Sequence, residues 1–122
     1  MLGDHCGSIY EAGKIRGYNL PIFSPASHLT DDSILAAAIC SELVKGSDNF
    51  EGALFDWYQK YPDEKYSYSF WKWLEQNIGD SCGNGSATRS IPVGFVAKSE
   101  DEAILLAQKI SKITHKHHEG MC

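Results

Sequence analysis

The sequence predicts an all-α fold, a single helical bundle, and two observations support this prediction. Apolar residues recur at helical spacing in four segments, and almost no segment shows the alternation of period two that marks a strand. The chain has 122 residues, which is the size of one ordinary domain. We therefore expect one domain over residues 1–122, built from helices with functional loops between them.

The clearest predicted helix starts near Thr30 and Asp31, which are suitable N-terminal capping residues, and ends at Gly46. Apolar side chains three or four positions apart repeat along one face of this segment. This pattern is typical of an amphipathic helix that packs against a core. The apolar residues are Ile34, Leu35, Ala38, Ile39 and Leu43.

Three further helices are predicted by the same spacing. The second ends at Pro62, because proline cannot continue a helix, and the third ends at Gly79. The fourth starts where Ser99 and Glu102 are spaced as a capping box. Residues 79–90, rich in Gly and Ser, are predicted to be a loop. The apolar faces are Phe50, Leu54, Trp57, Tyr58 and Tyr61, then Phe70, Trp71, Leu74 and Ile78, then Ala103, Leu106, Ala107, Ile110 and Ile113.

Charge and hydropathy exclude two classes of partner. Eleven Lys plus Arg against 16 Asp plus Glu give a net charge of −5, and only Arg16 and Arg89 are arginines, so we expect no DNA binding. We also expect no membrane span, because the longest apolar run, 34–40, is far shorter than the roughly 20 residues that a span needs. The N-terminus lacks the basic start and apolar core of a signal peptide, which predicts a cytoplasmic protein.

Oxygen donors gather at the start of the first predicted helix. Thr30, Asp31 and Asp32 are donors of the kind that Mg²⁺ prefers, and Glu11 follows a small-residue run over 3–8. Asp and Thr at a helix N-terminus also cap free N–H groups and complement the helix dipole, which stabilises a helix by about 0.5–2 kcal/mol. The residues alone therefore allow either a cap or a metal site.

Residues 83–87, Gly-Asn-Gly-Ser-Ala, form a second candidate site. Gly83 and Gly85 let backbone N–H groups approach a ligand closely, and a helix starting just after them would point its positive end at a phosphate. The spacing matches neither a P-loop nor a dinucleotide fingerprint. Gly, Asn and Ser also dominate ordinary turns, so a ligand loop and a plain turn both remain open.

Three histidines near the end of the chain, His115, His117 and His118, are a third candidate. Their spacing of i, i+2 and i+3 does not place them on one helical face, which weakens a zinc interpretation. The alternative is a solvated helix end, where His and Lys complement the helix dipole.

Taken in order, these motifs resemble those of the ADP-ribosylglycohydrolases, relatives of the dinitrogenase reductase-activating glycohydrolase. Four motifs in the family's order make the resemblance specific, and together they extend over essentially the whole chain. They are Gly-Asp-x-x-Gly-Ser-x-Tyr-Glu at 3–11, Phe-Ser-Pro-x-Ser-His-x-Thr-Asp-Asp at 23–32, Gly-Asn-Gly-Ser-Ala-x-Arg-x-x-Pro-Val-Gly at 83–94 and Thr-His-x-His-x-Glu-Gly at 114–120.

The resemblance implies a compact orthogonal helical bundle with a magnesium-dependent hydrolase activity, which removes ADP-ribose from a modified side chain. It implies that Thr30, Asp31 and Asp32 bind the metal, and that Glu11 and Asp31 are catalytic, a carboxylate taking a proton from water. It also implies ADP-ribose or an ADP-ribosylated protein as the ligand. The ligand-binding residues that it implies are Gly83, Asn84, Gly85, Ser86 and His115.

The chain departs from the family pattern in its extent. Its motifs correspond to about the N-terminal half of the family's domain, and the family's second acidic motif, Asp-x-Asp followed by Thr or Ser, does not occur in it. We therefore expect a truncated scaffold whose remaining metal ligands come from a homodimer or another protein partner. The alternative is a non-catalytic inhibitor or regulator that binds a partner through the exposed surface of this scaffold, of a kind that phages or other mobile elements encode.

Overall fold

The structure, a computed structural model, describes residues 1–10 and 21–116. Within these ranges it has helices and an isolated β-bridge between Asp80 and His115, but no strand. The all-α prediction is confirmed. No helix in these ranges is long and apolar enough to cross a membrane. The helices are α1 (Leu2–Gly7), α2 (Asp31–Lys45), α3 (Phe50–Lys60), α4 (Tyr68–Gln76), α5 (Gly85–Ser90), α6 (Val93–Val96) and α7 (Glu100–Thr114).

Side-chain caps define where the longer helices begin. The hydroxyl of Ser67 accepts a hydrogen bond from the N–H of Phe70 at 3.3 Å at the start of α4. At the start of α7 the hydroxyl of Ser99 accepts from the N–H of Glu102 at 3.2 Å, as the capping-box spacing predicts. The reciprocal bond differs from that prediction, because the carboxylate of Glu102 accepts from the N–H of Lys98 at 2.6 Å and not from that of Ser99.

The prediction of a loop over residues 79–90 is wrong for its second half, which forms α5. Gly and Ser are weak helix formers, but α5 packs against both α2 and α7, and this tertiary contact stabilises it. The third predicted helix also ends earlier than Gly79, because Asn77 takes up the left-handed conformation with φ 56°. Gly79 instead passes close to the end of α7, where an added Cβ would lie 2.5 Å from the carbonyl oxygen of Ile113.

The core lies between α2, α3, α4 and α7, with Phe70 of α4 near its edge. The Phe70 ring stacks on Tyr66 at a centroid distance of 5.2 Å and lies 5.4 Å from the ring of Trp73. Helix α4 also contacts α7, at whose end the predicted site residue His115 occurs. The buried core residues are Leu35, Ala38, Ile39, Phe50, Ala53, Leu54, Tyr66, Phe70, Trp73, Val93 and Ile110.

Candidate functional site

A cavity of about 360 Å³ lies between the N-terminus of α2, the connection from α4 to α5 and the C-terminus of α7. Thr30 and Ser86, which were also predicted as site residues, are buried and are absent from its wall. Glu11 lies outside the described residues, as do His117 and His118. The predicted residues that line the cavity are Asp31, Asp32, Gly83, Asn84, Gly85 and His115.

Two carboxylates form one wall of the cavity. Asp31 and Asp32 occupy the first turn of α2, and the Oδ1 atom of Asp32 lies 3.4 Å from the hydroxyl of Thr88 on α5. Carboxylate oxygens suit a hard cation such as Mg²⁺. In residues 1–10 and 21–116 no group of three or more His, Cys, Asp or Glu side chains is placed to hold a metal ion. The metal site at Thr30, Asp31 and Asp32 therefore stays a prediction.

Thr30 acts as the N-terminal cap of α2. Its Oγ1 atom accepts a hydrogen bond from the N–H of Asp32 at 3.4 Å. Its own N–H and hydroxyl donate to the carboxylate of Asp4, at 2.8 Å and 2.6 Å. Burial of Asp4 alone would raise the pKa of this carboxyl, but hydrogen bonding from Ser33 and Thr30 outweighs burial and holds the pKa below its usual value. The cap is thus anchored on an ionised side chain from α1.

The segment between α4 and α5 forms the opposite wall. The N–H of Ser81 donates to the carbonyl oxygen of Thr114 at 3.1 Å, which joins this segment to the end of α7. The hydroxyl of Ser81 accepts from the N–H of Gly83 at 3.3 Å and lies 3.1 Å from the hydroxyl of Ser69. Through these bonds the backbone at Gly83 is held against both α4 and α7.

Gly85 lies where a side chain would meet the side chains of Arg89 and His115. An added Cβ would lie 3.1 Å from the Nη2 atom of Arg89, which is tighter than most real Cβ contacts, and 3.4 Å from the Cε1 atom of His115, which is close to ordinary contact. The glycine thus brings the start of α5 directly against a buried guanidinium and a buried imidazole. The observed close approach is to side chains of the same chain, and the approach of this backbone to a ligand stays a prediction.

Arg89 also lines the cavity and is only 6% exposed. Its Nη1 atom donates to the hydroxyl of Thr114 at 2.5 Å, and its guanidinium carbon lies 5.4 Å from the centroid of the Phe70 ring. Burial lowers the pKa of Arg89 to about 10, although the nearby carboxylates of Asp31 and Asp32 favour the charged form. At neutral pH this side chain is a buried cation.

His115 follows α7 directly and is 2% exposed. Its Nδ1 atom lies 2.7 Å from the hydroxyl of Thr114. That hydroxyl accepts from Arg89 and keeps one hydrogen and a second lone pair, so its role toward Nδ1 as donor or acceptor depends on the tautomer of the ring. Burial and the charge of Arg89 lower the pKa of His115 to about 4, against the opposing effect of a hydrogen bond with the backbone of Gly83.

The cavity therefore combines two carboxylates on one wall with a buried cation and a neutral imidazole on the other. Its volume lies within the usual range for small-molecule sites, and most of the residues that line it are polar or charged. The family model of the ADP-ribosylglycohydrolases matches residues 1–122. The chain belongs to the ADP-ribosylglycohydrolase family. No curated protein matches the chain.

Family membership confirms the resemblance carried by the four motifs. Two residues that shape the site of this family member, Arg89 and Asp4, were not among the predicted site residues. Both belong to the motifs, and Arg89 is one of only two arginines in the chain. Their roles depend on partners 25 and 26 positions away, Thr114 and Thr30, which no local spacing reveals.

Proposed function

We propose that this ADP-ribosylglycohydrolase family member hydrolyses ADP-ribose from a modified side chain, in a magnesium-dependent reaction for which a second chain supplies the remaining metal ligands. One observation carries the proposal. Residues from three separate motifs converge on one cavity, with Asp31 and Asp32 on one wall and residues 83–85 and His115 on the other. The stability of the helical bundle does not by itself require these residue types to meet at one cavity.

Each wall has a role that follows from its chemistry. Asp31 and Asp32 are the oxygen donors that would hold Mg²⁺. When bound, the ion would supply a positive charge that orients the ribose hydroxyls and acidifies a water. Asp31 would accept a proton from a water in the cavity, and Glu11 would be the second acidic residue of the reaction. The backbone at Gly83 and Gly85 approaches the phosphates of the ligand.

The proposal requires a partner because two carboxylates alone leave a bound Mg²⁺ largely hydrated. Apolar side chains exposed on α6 and α7 support association with another chain. Phe95 is 88% exposed and Leu105 is 67% exposed. Exposed apolar surface of this kind is typical of an interface when it is contiguous. We propose that the partner is a second copy of the chain or a complementary protein.

An assay of ADP-ribose release tests the proposal. The native assembly, with its composition established by mass spectrometry, is incubated with an ADP-ribosylated protein with and without Mg²⁺. We expect release that requires Mg²⁺ and that is lost in Asp31→Asn but kept in Asp56→Asn, a change at an exposed position on α3. Release that is equal without Mg²⁺, or equal in Asp31→Asn, would contradict the proposal.

A second candidate function is a non-catalytic inhibitor or regulator, and the exposed side chains of Phe95 and Leu105 favour it. Under this alternative the chain binds a partner protein but releases no ADP-ribose from any substrate. The same assay separates the two functions, because a regulator gives a stable complex in which Asp31→Asn changes nothing.

A further inference from the structure

We infer that Arg89 is a positioning residue that acts through Thr114 to hold both the Gly83–Gly85 backbone and His115 at the cavity wall. The identity of the ligand that this arrangement receives rests on the proposed function. The arrangement itself can be measured in the protein without ligand. Neither the family match nor the sequence motifs assign a role to Arg89.

Thr114 connects the parts of this arrangement. Its hydroxyl accepts from the Nη1 atom of Arg89 at 2.5 Å and lies 2.7 Å from the Nδ1 atom of His115. Its carbonyl oxygen accepts from the N–H of Ser81 at 3.1 Å, and the hydroxyl of Ser81 accepts from the N–H of Gly83. A single residue at the end of α7 is therefore bonded to the guanidinium, the imidazole and the segment that leads into the loop.

The guanidinium of Arg89 is closely enclosed by its neighbours. The guanidinium lies between the face of Phe70 and the backbone of Gly85, where even a methyl group would crowd Nη2 at 3.1 Å. Its Nε atom is buried and has no hydrogen-bond partner among the described residues. Burying a cation is costly unless it is paired and hydrogen-bonded, and the bond to Thr114 and the charges of Asp31 and Asp32 offset part of that cost.

Other charges around the cavity act on the same groups. Asp31 and Asp32 stabilise the charged form of Arg89, and Lys65 and Asp80 also line the cavity. Asp80 accepts from Lys72 at 2.7 Å, so its charge is already paired at the rim. The hydrogen bonds of Thr114 to Arg89 and to Ser81 join the guanidinium to the segment that leads to Gly83.

Amide hydrogen exchange in the full-length, ligand-free protein tests the inference. The variants are Arg89→Lys, which keeps the charge, Arg89→Met, which removes it, and Thr114→Val, which removes the hydroxyl. Lys112→Met on the exposed side of α7 is the matched control. In Arg89→Lys and Thr114→Val we expect exchange at Ser81 and Gly83 to rise by about five- to tenfold, the effect of losing about one hydrogen bond, with exchange in the α2 core unchanged.

Two further readouts separate positioning from general stability. The double variant of Arg89→Lys and Thr114→Val should exchange at Gly83 no faster than either single variant, because both act on one connection. The pKa of His115, followed by NMR, should rise in Arg89→Met and rise less in Arg89→Lys, since the Lys charge remains nearby.

Three results would overturn the inference. They are unchanged exchange at Ser81 and Gly83, a rise that is equal throughout the core, and additive effects in the double variant. If Arg89→Met fails to fold, the Arg89→Lys and Thr114→Val variants still decide the outcome. If the wild-type protein binds no ADP-ribose, the proposed function fails while the exchange data still decide the role of Arg89.

Discussion

The carboxylate of Asp4 accepts two hydrogen bonds from Thr30, one from its N–H at 2.8 Å and one from its hydroxyl at 2.6 Å. The contact joins α1 to the N-terminus of α2, immediately before the two acidic residues that line the cavity. It also directs the hydroxyl hydrogen of Thr30 away from the first turn of α2. The first and second sequence motifs therefore meet in space through these two residues.

Replacement of Asp4 by Ala should lower the free energy of unfolding by about 1–3 kcal/mol, because a buried N–H and a buried hydroxyl lose their acceptor. Urea denaturation measures this loss. Asp56→Ala, at an exposed position on α3, should change stability by no more than about 0.5 kcal/mol. Equal effects of the two substitutions would show that the contact with Thr30 contributes nothing to the fold.

Stability should fall as the pH is lowered from about 6.5 to about 4. The pKa of His115 is lowered to about 4 in the folded protein, so in this range the unfolded chain binds more protons than the folded one. Above pH 6.5 the neutral ring contributes fully to the free energy of unfolding. This contribution is lost as the pH falls toward about 4, the pKa of His115 in the folded protein. Urea denaturation at pH 7.5 and pH 5 should show a larger drop for wild type than for His115→Asn. Equal drops would contradict a neutral, buried His115.

Gly85→Ala should weaken ADP-ribose binding, because its Cβ would lie 3.1 Å from Nη2 of Arg89 and would displace the start of α5. Gly94→Ala is the control, since a Cβ there meets nothing within 4 Å. Isothermal titration with ADP-ribose compares the two variants with wild type. Binding by Gly85→Ala at the strength of Gly94→Ala would show that close approach at Gly85 does not matter.

Two tryptophans on α4 should give opposite results when each is replaced by Ala. Trp73 is 5% exposed and packs in the core, so Trp73→Ala should cost about 3–5 kcal/mol of stability. Trp71 is 38% exposed and contacts Tyr58 edge to face, so Trp71→Ala should leave the fold stable and weaken association instead. Urea denaturation and analytical ultracentrifugation measure the two effects. A monomeric wild type at high micromolar concentration, with no partner protein, would contradict the expected assembly.

Local patterns were sufficient to predict the long helices. The cap at Thr30, the glycine at 46 and the apolar spacing of α2 are all signals within a few residues, and α2 occupies Asp31–Lys45. The helix α5 could not be predicted in this way, because Gly85 and Ser86 have low helix propensity and packing between α2 and α7 stabilises the segment.

The site shows the same division between local and long-range information. The order of the motifs indicated which residues belong to the site, and six of them line one cavity. Spacing could not show that Ser86 is buried away from that cavity or that the buried side chain of Arg89 lines it. Those positions follow from contacts such as the one between Arg89 and Thr114, which exist only once the helices have packed.

An NMR titration of the wild-type protein with ADP-ribose tests the central claim most directly, with AMP as the control ligand and with and without Mg²⁺. We expect ADP-ribose to shift the signals of Gly83, Gly85 and His115, which share one cavity wall, while Phe95 on α6 stays unchanged. We also expect Mg²⁺ alone to bind weakly and to affect Asp31 and Asp32 first. No shift in residues 83–85 at millimolar ADP-ribose would contradict the claim that this cavity binds ADP-ribose.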